Sequence, residues 1–92
     1  MWKLRDGLDP DQTISQMKAK LEALVGVVPG LVSLEVNAAH YPGERNWDVM
    51  LESVHESVEA LDVYRDHPAH LEAAAWVNEH TAERATVDYL PQ

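Results

Sequence analysis

The residue types that could support chemistry are concentrated in one run, Tyr64-Arg65-Asp66-His67-Pro68-Ala69-His70. Carboxylates and imidazoles are metal ligands, so Asp66, His67 and His70 form a set to consider. Pro68 interrupts the predicted helix between the two histidines, so they do not project together from consecutive turns. The remaining candidate ligand, His40, lies in a predicted loop. We therefore expect neither a metal nor a cofactor.

Other polar residues have simpler interpretations. His67 is expected to cap the helix that ends before Pro68, where the helix dipole is negative. The residues alone leave two interpretations of His70 open: a half-buried histidine bonded to a carbonyl or carboxylate, or a ligand-contacting group. No serine lies in a nucleophile-elbow context, and no glycine-rich loop is present that could bind phosphate. A serine hydrolase and a nucleotide-binding site are therefore not expected.

Composition excludes several further classes of function. The 92 residues are enough for one domain, and 16 acidic against 7 basic residues give a net charge of −9. Such a field repels phosphate backbones and anionic lipids, so nucleic-acid and membrane partners are not expected. The absence of cysteine excludes disulfides and a thiol nucleophile and favours a reducing compartment. With no membrane span and no secretory signal in the sequence, we expect a cytoplasmic protein.

Hydrophobic periodicity and capping residues predict seven elements. Asp9 and Pro10 are typical of a helix start, and apolar residues then recur every three or four positions. Val32, Leu34 and Val36 alternate with polar residues, so they are expected to share one face of a strand. The predicted strands cover residues 1–5, 31–37, 46–54 and 84–90, and the predicted helices cover residues 10–27, 56–66 and 68–79. This order predicts an α+β, ferredoxin-like βαββαβ domain over residues 1–92.

Such a domain leaves one face of its antiparallel sheet without helices. Trp47 and Tyr89 are costly to leave in water, so we expect a second copy to cover this face in a homodimer. The five-residue first strand is short for a central position. Either residues precede the given start, or the barrel formed by the two sheets is open at one end.

Four segments resemble, in order, motifs of the stress-responsive A/B barrel (Dabb) domain family. They are Val27-Val28-Pro29-Gly30-Leu31, Pro42-Gly43-Glu44-Arg45, the run from Tyr64 to His70, and Val87-Asp88-Tyr89. The resemblance extends from Lys3 to Tyr89, and its most specific part is Tyr-x-x-His-Pro-x-His. It implies a homodimer in which two ferredoxin-like sheets close into an α+β barrel.

The resemblance also implies a small-molecule site. A plant polyketide cyclase of this family closes a linear poly-β-ketone by aldol condensation. By analogy, His70 is the base and Tyr64 the hydrogen-bond donor to the enolate oxygen. Trp47, Leu21 and His67 are expected to contact the ligand, with Leu21 at a position where the cyclase has tyrosine. The site would be a closed, mostly apolar cavity of roughly 300 Å³ or more.

Two other functions were considered from the same residues. One is a non-enzymatic, stress-associated dimeric module whose barrel is a packed core without a ligand. The other is a haem protein or monooxygenase, as in other dimeric α+β barrels. The lack of cysteine and of a clear axial histidine in a strand argues against that second possibility.

Overall fold

A computed structural model describes residues 1–41, 43 and 46–91. Its elements are β1 (Trp2–Leu4), α1 (Pro10–Glu22), β2 (Leu31–Ala38), β3 (Val49–His55), α2 (Val58–Asp66), α3 (Pro68–His80) and β4 (Thr81–Arg84). The four strands form one antiparallel sheet in the order β2-β3-β1-β4. This is the predicted α+β, ferredoxin-like fold. Pro42, Glu44 and Arg45, part of one motif above, lie outside the described residues.

Helices α1 and α3 start where predicted, at Pro10 and Pro68, whereas α2 starts at Val58 and not at residue 56. The Asp9 carboxylate accepts a hydrogen bond from the Gln12 N–H at 3.2 Å, and Pro10 is the first residue of α1. At α2, the Ser57 hydroxyl accepts from the Ala60 N–H at 3.1 Å. Within the described part of the chain, no helix is long and apolar enough to cross a membrane.

Helix α1 is shorter than predicted. It ends at Glu22, whereas the apolar spacing predicted an end near Val27. The segment continues through turns, with the Val28 N–H bonded to the Leu24 carbonyl at 3.0 Å. Gly26 has a φ of 88°, a left-handed conformation that interrupts the helix. Leu24 and Val28 are still buried, so the apolar spacing predicts which side chains are buried even after the helix has ended.

A β-bulge changes which residues of β2 face the core. The pairing register with β3 shifts between Leu31 and Ser33, so that Leu31 is buried and Val32 is 54% exposed. Leu34 and Val36 face the core. The prediction that Val32 shares their face was therefore wrong, because one extra residue reverses the alternation.

The last strand lies earlier than predicted. It covers Thr81–Arg84, directly after α3, and not residues 84–90. It pairs with the three-residue β1, and the backbone pairing continues only to Ala85, whose N–H bonds the Met1 carbonyl at 3.0 Å. Beyond that point β1 offers no partner for a ladder. We call residues 85–91 the C-terminal segment. Its Val87, Tyr89 and Leu90 are each more than 70% exposed.

Strand β3 also begins later than predicted, at Val49 and not at residue 46. The reason is Asp48, whose carboxylate accepts the Leu4 N–H at 2.8 Å in place of a backbone carbonyl. The Asp48 N–H bonds the Trp2 carbonyl at 2.9 Å. The only registered pair between β1 and β3 in the described residues is Trp2 with Val49.

The core lies between the helices and one face of the sheet. Its buried members come from all three helices, from the turns after α1, and from β2 and β3: Met17, Leu21, Leu24, Val28, Leu31, Leu34, Val36, Val49, Tyr64, Ala73 and Val77. The opposite face carries Val32, Met50 and Val54, which are about half exposed, and the cross-strand pair Glu35 and Glu52. We call this surface the open face. No helix covers it.

Candidate active site

The break between α2 and α3 brings Tyr64 and His70 together. Tyr64 lies in the last turn of α2, His67 has the extended backbone expected before proline, and α3 begins at Pro68. His70 therefore lies in the first turn of α3. Its ring centroid is 4.2 Å from that of Tyr64, with the two planes tilted by 37°. The two residues singled out in the sequence are in direct contact.

The His70 ring is held by one hydrogen bond that fixes its tautomer. Its Nδ1 lies 3.1 Å from the Arg65 carbonyl oxygen, one of the α2 carbonyls without a partner in the helix. A carbonyl oxygen only accepts, so Nδ1 carries the proton and donates it. In the neutral ring, Nε2 then has a free lone pair. This is the arrangement that a general base requires.

Tyr64 is buried, with 7% of its surface exposed. Burial raises the pKa of its phenol, because the charged phenolate would lose hydration. The phenol therefore stays protonated at neutral pH. Within the described residues, its hydroxyl makes no hydrogen bond. A protonated phenol without a partner can donate to an oxygen of a bound molecule.

His55, the last residue of β3, joins this pair. Its ring packs edge-on against Tyr64, with centroids 4.8 Å apart and an interplanar angle of 65°. Its Nε2 lies 3.0 Å from the Ser53 hydroxyl. Its Nδ1 is buried and has no hydrogen-bond partner within the described residues. We call His55, Tyr64 and His70 the ring cluster.

The surroundings of His55 favour its neutral form. Loss of hydration on burial is the main cause that lowers the pKa of His55, and the charge of a protonated His70 lowers it further. The Asp88 carboxylate acts in the opposite direction and raises it. Asp88 also forms an ion pair with Arg65, which joins the C-terminal segment to the end of α2 beside the ring cluster.

The sequence prediction missed His55, although a signal for it was present. The predicted strand ended at Val54, with Trp47, Val49 and Leu51 on one of its two faces. Extending that alternation by two positions places Ser53 and His55 on the same face, where the structure has them half-buried. The structure thus has a histidine in a strand, although none was expected there from the sequence.

The three predicted ligand-contacting residues lie in different places. Leu21 is 2% exposed and belongs to the core, as does Tyr64. Trp47 is half-buried and precedes β3. His67 acts as a cap, because its Nδ1 accepts a hydrogen bond from the Ala69 N–H at 3.1 Å at the start of α3. The structure does not gather these residues around one cavity.

The two best-defined surface cavities of the described residues are not lined by Tyr64 or His70. One, of about 440 Å³, is a shallow depression on α2 lined by Asp62, Val63, Asp66 and His67. The other, of about 480 Å³, lies between the loop after β1, the start of α1 and the adjoining ends of β2 and β3, next to Asp48. Neither of them is the closed cavity expected around Tyr64 and His70. No group of three potential metal ligands occurs in the residues that the structure describes.

Comparison with known proteins identifies relatives of the whole domain. The family described as Stress responsive A/B Barrel Domain matches residues 1–91. A dimeric protein of unknown function with a ferredoxin-like fold from Bacteroides fragilis is 30% identical, covering 96% of this chain and 87% of its own, with a TM-score of 0.82. A protein from Arabidopsis thaliana is 24% identical, with 99% and 89% covered and a TM-score of 0.85.

A third structure, a dimeric ferredoxin-like protein of unknown function from Thermobifida fusca, is also 24% identical. The alignment covers 92% of this chain and 79% of that one, with a TM-score of 0.78. At this identity the likeness extends to the fold alone. No curated protein matches the sequence.

Proposed function

This chain belongs to the stress-responsive A/B barrel domain family, and we propose that it acts on a small enolisable carbonyl compound, with His70 as the base and Tyr64 as the hydrogen-bond donor. The observation that carries this proposal is the contact between the two rings at 4.2 Å, with the His70 Nδ1 proton bound to Arg65. Nε2 is thereby left free beside a protonated phenol. The two groups required for enolisation lie next to each other.

The proposed reaction is an aldol condensation of the kind catalysed by polyketide cyclases. His70 Nε2 accepts a proton from the carbon between two carbonyl groups, and the electron pair of that C–H bond forms an enolate. Tyr64 donates a hydrogen bond to the enolate oxygen. The carbon then attacks another carbonyl of the same molecule, forming a C–C bond. His70 returns its proton to the new alkoxide and is neutral again.

We further propose that the chain is a homodimer, with a second copy covering the open face. Val32, Met50 and Val54 are 54%, 47% and 53% exposed on that face, and the C-terminal segment adds exposed Tyr89. The relatives from Bacteroides fragilis and Thermobifida fusca are described as dimeric. A second copy would also supply cavity walls beside Tyr64 and His70. We expect this dimer in the cytoplasm, as the sequence predicts.

The test of the enzymatic proposal is proton exchange at an activated carbon. Ethyl 2-methylacetoacetate in deuterated buffer loses its C2 proton signal in ¹H NMR, and the protein is expected to accelerate this loss above the buffer rate. His70→Ala should remove about 10²-fold or more of the acceleration, the lower range for a positioned base. Tyr64→Phe should remove only part of it. His40→Ala is the matched control, since His40 is exposed in a loop.

A second candidate function is a dimeric module without a ligand. It is favoured by one observation, that neither of the two best-defined cavities of the described residues touches Tyr64 or His70. Under this alternative, wild type and His70→Ala exchange the C2 proton at the buffer rate and both remain dimeric. Equal acceleration by wild type and His70→Ala would likewise contradict the proposed base.

A further inference from the structure

His55 presents an unsatisfied nitrogen beside the proposed site. Buried polar groups are almost always hydrogen-bonded, because leaving one without a partner forfeits its hydration. The Nδ1 of His55 is the only buried side-chain nitrogen or oxygen in the described residues that lacks a partner. The same ring contacts Tyr64, the proposed donor. An unpaired atom at this position calls for a partner that is not part of the folded chain.

The direction of the hydrogen bond between Ser53 and His55 decides whether Nδ1 needs a donor or an acceptor as its partner. The Ser53 hydroxyl occupies Nε2 at 3.0 Å. If the hydroxyl donates to Nε2, the proton of the neutral ring lies on Nδ1, which then needs an acceptor such as a carbonyl oxygen. If Nε2 donates to the hydroxyl, Nδ1 has a lone pair and needs a donor such as an enol hydroxyl. A β-dicarbonyl compound offers both groups, because it interconverts between its keto and enol forms.

We infer that His55 is a third ligand-binding ring of the site, and that its Nδ1 hydrogen-bonds an oxygen of the same enolisable carbonyl compound that Tyr64 and His70 engage. This inference rests on the proposed function. Ser53 is the positioning residue, because its hydroxyl holds the Nε2 side of the ring. Nδ1 has no exposed surface in the single chain, so the ligand reaches it only when neighbouring groups shift. The C-terminal segment lies close by, since Asp88 influences the charge state of His55.

The test uses pentane-2,4-dione as the probe and reads the histidine ring directly. In wild type, a long-range ¹H–¹⁵N NMR titration should shift the Nδ1 resonance of His55 saturably, with the same Kd as backbone signals around Tyr64. His55→Phe keeps a planar ring but removes both nitrogens, and should weaken binding by about tenfold, as expected for one lost hydrogen bond. His55→Asn keeps a polar atom at the Nδ1 position and should restore most of the affinity. His40→Asn is the control and should bind as wild type does.

The outcomes separate this inference from the proposed function. If His70→Ala loses the probe while His55→Phe binds it as tightly as wild type, the proposed function stands and the role of His55 is refuted. Probe binding that leaves the His55 nitrogen signals unchanged refutes it as well. If wild type does not bind the probe at all, both proposals fail. If His55→Phe does not fold, the affinity of His55→Asn and the nitrogen signals of wild type still test whether His55 binds the probe.

Discussion

Arg65 pairs with Asp88 through its guanidinium group and so joins the end of α2 to the C-terminal segment. Both side chains are about half exposed, at 54% and 42%, so the ion pair adds little to stability. Its more specific effect is to hold a carboxylate near His55, whose pKa Asp88 raises. The segment predicted as a strand thereby influences the charge of the ring cluster.

Replacing Asp88 by Asn should lower the pKa of His55 further. The carboxylate attracts the protonated ring and raises this pKa, and the neutral amide removes that attraction while keeping the shape. The pH titration of the His55 Cε1 proton by NMR measures the effect. Stability should change by less than about 1 kcal/mol, because the ion pair is exposed. An unchanged titration of His55 would show that Asp88 does not act on the ring.

The stability of the protein should fall on acidification through the titration range of His55. Burial lowers the pKa of His55 below the ordinary histidine value of 6.5, so the unfolded chain takes up this proton at a higher pH than the folded one. The free energy of unfolding therefore decreases as pH falls from about 6.5 through the folded pKa, and levels off below it. Urea unfolding at stepped pH should show a smaller decrease for His55→Asn than for wild type. Equal slopes would contradict a depressed pKa.

Tyr64 should titrate above the other tyrosines. Burial raises its pKa above the ordinary 10.0, whereas Tyr41 and Tyr89 are 74% and 75% exposed. Ultraviolet titration at the phenolate band should therefore resolve a late component that is missing in Tyr64→Phe. Because the unfolded phenol ionises first, this group causes stability to be lost as pH rises beyond about 10. Three tyrosines titrating together would contradict the raised pKa of Tyr64.

A charge on the open face should dissociate the proposed dimer. Val54 is 53% exposed on that face, and Val63 is 49% exposed on α2, so the two valines form a matched pair. Val54→Lys should raise the dimer dissociation constant at least about tenfold, because the ammonium group would have to be buried on association. Val63→Lys should leave it unchanged. Sedimentation equilibrium measures both, and a monomeric wild type at micromolar concentration would refute the dimer.

Gly30 should tolerate substitution worse than Gly26. Both have left-handed backbone, with φ of 80° and 88°, so alanine costs a similar strain of about 1 kcal/mol at either position. A Cβ at Gly30 would lie 2.6 Å from the Cβ of Ala60 in α2, whereas one at Gly26 meets nothing within 4 Å. Gly30→Ala should therefore lose about 1–3 kcal/mol more than Gly26→Ala in chemical unfolding. Equal losses of stability in the two variants would show that α2 moves away from the new methyl group without a loss of free energy.

The sequence was informative about the fold because its signals were local. The residues around Asp9 and Pro10 started α1 where expected, and Pro68 separated α2 from α3. The errors arose where tertiary pairing decides. Residues 84–90 alternate like a strand, but the three-residue β1 offers them no ladder. The predicted face of Val32 was wrong because the alternation of apolar and polar residues does not reveal a β-bulge.

The candidate site was only partly predictable. Tyr64 and His70 come from a short sequence interval, and a proline break was sufficient to bring their rings into contact. His55 required knowledge of where β3 ends and which helix packs over it, which depends on long-range packing. A cavity around Tyr64 and His70 also depends on long-range packing, because its walls would come from several elements and from a second copy of the chain.

The single registered pair between β1 and β3, Trp2 with Val49, has a consequence for dynamics. It divides the sheet into two hydrogen-bonded halves, β2 with β3 and β1 with β4, that share one short seam. Local opening should follow that seam, because few backbone bonds have to break there. Amide hydrogens of β1 should then exchange with solvent faster than those in the middle of β2, and the interior would be reached without global unfolding.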